Sequence, residues 1–126
     1  MEHQVAIDLL SHHTASGLYL SCIKSKISLQ EAENIILKYL QELGIKQNDL
    51  TIAGNSVHMD KLFMFHHMPK LNAFLFYRIL DVSSIKIVVN ATNPTLFYKK
   101  KLNHRALDDI KESIGELQYY LKFAFK

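Results

Sequence analysis

The α/β class of this protein is indicated by residues 50–68, which have the sequence LTIAGNSVHMDKLFMFHHM. Leu50–Ala53 is short, apolar and partly β-branched, and Gly54–Ser56 follows it, which predicts a buried strand that stops at a loop. A helix is predicted over Met59–Met68, because Pro69 disfavours helical backbone at the residue before it. A strand followed directly by a helix is the building unit of an α/β fold.

The segment before this unit predicts a long amphipathic helix. Ser28–Glu31 has the sequence SLQE, which is a capping box, and Gly44 suits the position just after a helix C-terminus. Apolar residues recur between them at helical spacing. They are Leu29, Ala32, Ile36, Leu40 and Leu43.

The segment after the unit predicts a second strand and a final helix. Tyr77–Val82 is the second candidate for a buried strand, and the helix is expected to begin near His104. The apolar face of this helix carries Ala106, Ile110, Ile114, Leu117 and Leu121. Two strands are a poor sheet, because an isolated pair is marginal in water. We therefore expect either that a partner chain completes the sheet or that strands of a parent domain are absent.

Composition is that of an ordinary globular protein. The 126 residues are 48% hydrophobic and 21% charged, without internal repeats or a Gly/Ser linker, so we expect residues 1–126 to form a single domain. The net charge of +3 permits nucleic-acid binding but does not demonstrate it. Cys22 is the single cysteine, which excludes an internal disulfide and a cysteine-rich zinc site.

Targeting signals are absent from the given sequence. It contains no run of 18 apolar residues, and its first ten residues lack the basic start and apolar stretch of a secretory signal. We expect no membrane association. The cytoplasm, or an organelle matrix such as that of mitochondria, is the expected location.

Two carboxylates stand at predicted helix starts. Asp60 lies on the opening turn after Gly54–Ser56, and Asp109 lies five residues after His104. An acidic residue near a helix N-terminus interacts well with the helix dipole, so a structural role explains each one by itself. Alternatively, His104 lies in the preceding loop and leans over a metal that Asp109 holds. Residue type and spacing leave both interpretations open.

From His12 to the C-terminus, the sequence resembles the oligoribonuclease family almost continuously. This family belongs to the DEDDh 3′-to-5′ exonucleases, which have a ribonuclease H-like fold. The blocks that carry the resemblance are HTASG (His13–Gly17), GNSVHMDKLFM (Gly54–Met64), FYRILDVSSIK (Phe76–Lys86) and HRALDDIKESIGELQYY (His104–Tyr120). They are most similar to the fungal and animal branch, which is often mitochondrial. The implied fold is an α/β, ribonuclease H-like exonuclease fold that lacks its opening strands and retains about two strands.

The resemblance implies a two-metal phosphodiesterase that degrades short RNA to mononucleotides. Four carboxylates would hold two Mg²⁺ or Mn²⁺ ions, which prefer oxygen ligands. Asp60 matches the third of these carboxylates and Asp109 the fourth, whereas Asp108 is not the ligand by the family spacing. His104 matches the general base, a role that suits an imidazole near neutral pH.

The resemblance also implies substrate contacts. Ser56, Tyr77 and Arg78 match positions that hold the 5′ end of a short RNA, with Tyr77 reaching across from the other protomer of a homodimer. His13 is expected near the substrate. The structural alternatives are a turn serine, a core tyrosine and a surface arginine.

One departure from the family pattern limits the enzyme interpretation. The family begins with a strand that carries Asp-x-Glu, but the 126 residues contain no Asp-x-Glu and no tryptophan. We therefore expect impaired cleavage. Three interpretations remain open: an incomplete gene model of an active exonuclease, a shortened non-catalytic relative that dimerises or binds short RNA, and a separate polypeptide that supplies the missing strands.

Overall fold

The computed structural model describes residues 17–101 and 105–125. Within these ranges the chain forms six helices and two short strands. In chain order they are α1 (Leu18–Lys24), α2 (Leu29–Glu42), β1 (Ile52–Gly54), α3 (His58–His67), α4 (Pro69–Phe74), β2 (Ile79–Asp81), α5 (Val82–Thr92) and α6 (Ala106–Phe123). None of the helices in these ranges is long and apolar enough to cross a membrane.

The two predicted strands are present and pair in parallel, with Ile52 opposite Ile79 and Gly54 opposite Asp81. Helices α3 and α4 make the connection between them. Both strands are shorter than predicted, and β2 is not buried, since Ile79 and Leu80 are 37% and 40% exposed. The described sheet has two strands, so their outer edges have no strand partner among the described residues.

Helix α2 begins at the predicted capping box. The Ser28 hydroxyl accepts a hydrogen bond from the Glu31 backbone N–H, and the Glu31 carboxylate accepts one from the Ser28 N–H. Gly44 follows the helix with φ of 79°, the left-handed conformation expected after a helix C-terminus. The predicted apolar face remains largely in solvent, however, with Leu43 exposed. The buried residue of α2 is instead Glu33.

Helix α3 was predicted correctly to within one residue at each end, and Pro69 does interrupt it. Met68 adopts non-helical backbone angles, as expected for a residue that precedes proline. Pro69 then starts α4, a helix that was not predicted from the sequence. Proline is well suited to the first turn of a helix, because the N–H that it lacks would have no helical partner there.

Helix α5 was also missed, because the β-branched residues around Val82 were assigned to a strand. Asp81 ends β2 and caps α5, and its carboxylate accepts a hydrogen bond from the Ser83 N–H at 2.9 Å. Val82 and Val89 pack with Tyr120 of α6, and each of the three is at most 2% exposed. This small core joins α5 to α6.

Helix α6 buries a different face from the one predicted. Ile110 and Ile114 are 55% and 52% exposed, whereas Glu116 and Tyr120 are buried. The core with α5 contacts the side of α6 that carries Tyr120, so the predicted apolar side is left facing a cavity. The helix begins at Ala106, two residues after the expected start near His104, which lies outside the described residues.

Candidate metal and RNA site

A cavity of about 660 Å³ lies between β1, the loop that follows it, and helix α6. Ile52 and Asn55 line it from the strand and the loop, and Ile110 and Ile114 line it from α6. The walls are therefore mainly apolar, with polar groups at a few positions.

Asp60 and Asp109 both line this cavity. Asp60 lies in the first turn of α3 and Asp109 in the first turn of α6, so two separate helix starts each direct an acidic residue to one space. The adjacent Asp108 is not among the lining residues. The structure thus brings together the two carboxylates that the sequence analysis selected as metal ligands.

The donor chemistry of the cavity suits a hard divalent cation. Asp60 and Asp109 offer carboxylate oxygens, which are the ligands that such an ion prefers. The donor set is incomplete, because the described residues hold no group of three or more His, Cys, Asp or Glu side chains placed to bind a metal. Two carboxylates alone would hold such an ion weakly.

A buried carboxylate lies beside the cavity, on α6. Glu116 is 1% exposed, and its Oε2 accepts a hydrogen bond from Asn55 Nδ2 at 2.8 Å and forms an ion pair with Lys100 Nζ at 2.8 Å. Its Oε1 accepts a hydrogen bond from the Tyr120 hydroxyl at 2.7 Å. Burial alone would raise the pKa of Glu116, but these three donors hold it below the usual value. Burial, reinforced by this carboxylate, raises the pKa of Tyr120.

The loop between β1 and α3 is held by a second carboxylate. Ser56 has a φ of 52°, an unfavourable value for a residue with a side chain, and its N–H donates to Asp81 Oδ1 at 2.9 Å and to Ser83 Oγ at 3.1 Å. His58 Nδ1 lies 3.5 Å from Asp81 Oδ2. Burial opposes ionisation of Asp81, but the N–H groups of Ser83 and Ser56, together with His58, lower its pKa.

Of the predicted substrate residues, Ser56, Tyr77 and Arg78 are described, and they are not among the described residues that line the cavity. Ser56 is exposed in the loop beside it. Tyr77 is 68% exposed, so it is not a core tyrosine, and Arg78 Nε donates a hydrogen bond to its hydroxyl at 3.0 Å. The Arg78 guanidinium also lies 5.5 Å from the centre of the Tyr77 ring. His13 and His104 lie outside the described residues.

The polar residues that hold the site together were not predicted from the sequence. Asp81 carried a usable signal, since an aspartate directly before an apolar run is a common helix cap. Asn55 and Glu116 carried none, because they are 61 residues apart and a polar residue on an amphipathic helix is normally assigned to solvent.

Comparison with known proteins identifies the class. A family model described as "Exonuclease" (RNase_T) matches residues 2–117, and the chain belongs to this exonuclease family. This agrees with the expected α/β, ribonuclease H-like fold with two strands among the described residues.

Within the family, the chain is similar to oligoribonucleases. It is 43% identical over 120 residues to a probable oligoribonuclease of Drosophila melanogaster, covering 93% of this chain and 56% of the relative. It is 45% identical over 115 residues to the mitochondrial oligoribonuclease of Saccharomyces cerevisiae, covering 89% and 43% respectively. For an oligoribonuclease of Vibrio cholerae the identity is 41% over 116 residues, covering 90% and 64%. The chain spans less than two thirds of the length of each of these curated relatives.

Proposed function

We propose that this chain is part of a 3′-to-5′ exoribonuclease that degrades very short RNAs to mononucleotides with divalent metal ions. The observation that carries the proposal is that Asp60 and Asp109, from two different helix starts, line one cavity. Membership of the exonuclease family and similarity to oligoribonucleases support it. The match over residues 2–117 also supports treating the chain as one domain.

In the proposed site, Asp60 and Asp109 would hold Mg²⁺ or Mn²⁺. A bound ion would supply Lewis-acid polarisation of the scissile phosphate. His104 precedes α6 and is proposed to take the proton from the attacking water, which is the task of a general base with a pKa near the working pH. In support of this role, His104 is two residues before Ala106 in the sequence, and Ala106 begins the helix that carries Asp109.

The substrate is proposed to be a short oligoribonucleotide. The Arg78 guanidinium offers a planar fork of donors for a phosphate, and the exposed ring of Tyr77 offers a stacking surface for a base. Ser56 and His13 are proposed as further contacts. Tyr77 is not among the described residues that line the cavity. The proposal therefore includes a homodimer in which Tyr77 of one protomer contacts the RNA bound at the site of its partner.

Cleavage by these 126 residues alone is expected to be slow. In this proposal, Asp60 and Asp109 supply two of the four carboxylates that DEDDh exonucleases use, and the sequence contains no Asp-x-Glu. Losing roughly 5 kcal/mol of metal stabilisation of the transition state would slow the reaction on the order of 10³ to 10⁴ fold. We propose that full activity requires two further carboxylates, from an additional segment or from another chain.

A second candidate function is non-catalytic binding of short RNA. The observation that favours it is the Tyr77–Arg78 pair, which is on the surface and outside the cavity lining, so it could bind RNA without the metal site. For either function we propose a cytoplasmic or mitochondrial location, since the yeast relative is named as mitochondrial.

A dinucleotide assay separates the two functions. With Mn²⁺ and a labelled diribonucleotide, we expect the 126-residue chain to bind weakly and to release little mononucleotide. The same chain preceded by a family segment that carries Asp-x-Glu should cleave, and His104→Ala in that longer protein should abolish cleavage. Efficient cleavage by the unextended chain would refute the proposed need for further carboxylates. Binding without cleavage in both forms would favour the non-catalytic function.

A further inference from the structure

We infer that Asn55 and Glu116 form a positioning contact that sets the separation between Asp60 and Asp109. Asn55 Nδ2 donates a hydrogen bond to Glu116 Oε2 at 2.8 Å. The functional meaning of this contact rests on the proposed metal site, but the contact and its geometric effect can be measured without a metal.

Each partner lies close in the chain to one of the two carboxylates. Asn55 is in the loop that leads into α3, five residues before Asp60. Glu116 is on α6, seven residues after Asp109, which is about two helical turns and therefore nearly the same face. This hydrogen bond thus joins the two segments that carry the proposed ligands.

The acceptor is held in a fixed orientation. Tyr120 lies one turn further along α6 and donates to Oε1, while Lys100 Nζ binds Oε2 from outside the helix. Glu116 is 1% exposed, so water does not replace these partners. A buried carboxylate deprived of a donor is strongly disfavoured, and this keeps the amide of Asn55 in place.

The donor is held from its other side by α5. Asn55 Nδ2 lies 3.3 Å from Ser83 Oγ, which also accepts a hydrogen bond from the Ser56 N–H. The loop before α3 is therefore attached both to α5 and to α6. Asn55 itself lines the cavity, so a shift of this loop relative to α6 changes the space between Asp60 and Asp109.

A cation shared by two carboxylates requires their separation to be held closely, to within about 0.5 Å. Neither Asp60 nor Asp109 has to touch Asn55 or Glu116 for this, because the rigid helix and the short loop transmit the constraint. Asn55 and Glu116 are therefore positioning residues rather than ligands.

The first test measures Mn²⁺ affinity by isothermal titration calorimetry on the 126-residue chain. Asn55→Ala changes no charge, and we expect it to weaken Mn²⁺ binding about tenfold, as the loss of outer supporting contacts does at other metal sites. Glu112→Gln is the control for a lost charge on the same helix, since Glu112 contacts the Tyr98 hydroxyl and does not line the cavity. It should bind Mn²⁺ like the unmodified chain, whereas Glu116→Gln should bind more weakly. Asn55→Ala combined with Glu116→Gln should be little worse than the more damaging single change, because the two residues act through one contact.

The second test needs no metal. In a Cys22→Ser background, spin labels at Met59→Cys and Lys111→Cys, both exposed positions near Asp60 and Asp109, report the separation by double electron–electron resonance. We expect a narrow distance distribution that Asn55→Ala broadens or displaces. If Asn55→Ala does not fold, Asn55→Ser is measured instead, at a temperature where the circular dichroism of the variant matches that of the parent.

The outcomes separate the inference from the proposed function. An unmodified chain that binds no Mn²⁺ would count against the metal site, while the distance distribution would still decide the inference. A folded Asn55 variant with an unchanged distance distribution would overturn the inference. If the unmodified chain binds Mn²⁺ and a folded Asn55 variant binds it with the same affinity, the inference would also be overturned.

Discussion

The buried carboxylate of Glu33 accepts hydrogen bonds from the backbone N–H groups of Lys70 and Leu71, at 2.9 and 3.1 Å, and so attaches α2 to the first turn of α4. Glu33 is 4% exposed, and Leu71 is buried beside it. The carboxylate supplies partners for two N–H groups that a helix start otherwise leaves unpaired, and its negative charge lies at the positive end of the α4 dipole.

Replacing Glu33 with alanine should therefore destabilise the protein. Two buried or half-buried N–H groups would lose their acceptor, and we expect the free energy of unfolding to fall by about 1–3 kcal/mol. Urea denaturation measures the change. Glu33→Gln retains an acceptor oxygen and should lose clearly less. Equal losses in the two variants would show that the charge, rather than the hydrogen bonds, stabilises the contact.

Asp81 should make stability depend on pH. Its carboxylate caps α5 and its pKa in the folded chain is lowered, so its contribution is present above the pKa of the unfolded state. That contribution is lost as the pH falls through the lower pKa of the folded state. Asp81→Asn keeps the cap but cannot ionise, so we expect the stability difference from the unmodified chain to shrink between about pH 7 and about pH 3. Asp81→Ala should be destabilised by about 1–2 kcal/mol at neutral pH. A constant difference between Asp81→Asn and the unmodified chain would contradict this prediction.

Gly115→Ala should destabilise α6 in spite of the higher helix propensity of alanine. A Cβ at this position would lie 2.5 Å from the Tyr98 hydroxyl oxygen, whereas the next nearest ring carbon is 3.4 Å away. Overpacking costs about 1–3 kcal/mol and outweighs a propensity gain of about 1 kcal/mol. In a Tyr98→Phe background the hydroxyl is gone, so Gly115→Ala should become neutral or stabilising. Thermal melts of the unmodified chain, the two single variants and the double variant measure the effect of Gly115→Ala on stability in each background.

Removal of one proposed ligand should weaken metal binding selectively. We expect Asp109→Asn to lower Mn²⁺ affinity about tenfold or more, which is about 1.4 kcal/mol per factor of ten. Asp60→Asn should do the same. The matched control is Asp108→Asn, which removes the same charge from the adjacent residue outside the cavity lining. If Asp108→Asn weakened Mn²⁺ binding as much as Asp109→Asn, non-specific attraction of Mn²⁺ to the negative charge of this region would explain the loss of affinity.

Exposed apolar side chains should drive self-association. Phe65 and Tyr77 are 63% and 68% exposed, while Phe74 and Phe76 are half-buried. We expect a homodimer or a poorly soluble monomer at micromolar concentration in analytical ultracentrifugation. Tyr77→Ser should weaken a dimer formed through this region, whereas Tyr39→Ser, which removes a similarly exposed tyrosine from α2, should not. A stable, soluble monomer would contradict the prediction.

The sequence by itself determined the features that depend on a few neighbouring residues. The capping box at Ser28 fixed the start of α2, Pro69 fixed the end of α3, and the strand, loop and helix around Asp60 followed from local apolar pattern. Similarity to the exonuclease family then distinguished Asp60 and Asp109 from the other acidic residues as candidate metal ligands. Local signals of this kind are sufficient to predict the backbone conformation of a segment where neighbouring residues supply its hydrogen-bond partners.

The tertiary structure alone decided which faces are buried. On α6, apolar periodicity favoured the side with Ile110 and Ile114, but the side with Glu116 and Tyr120 is buried instead. A carboxylate can occupy that position because Asn55, Lys100 and Tyr120 supply donors to it there. Two of these donors come from segments outside α6. The sequence pattern of α6 cannot predict where these two donors lie. Burial of a charge depends on partners that folding brings from elsewhere in the chain.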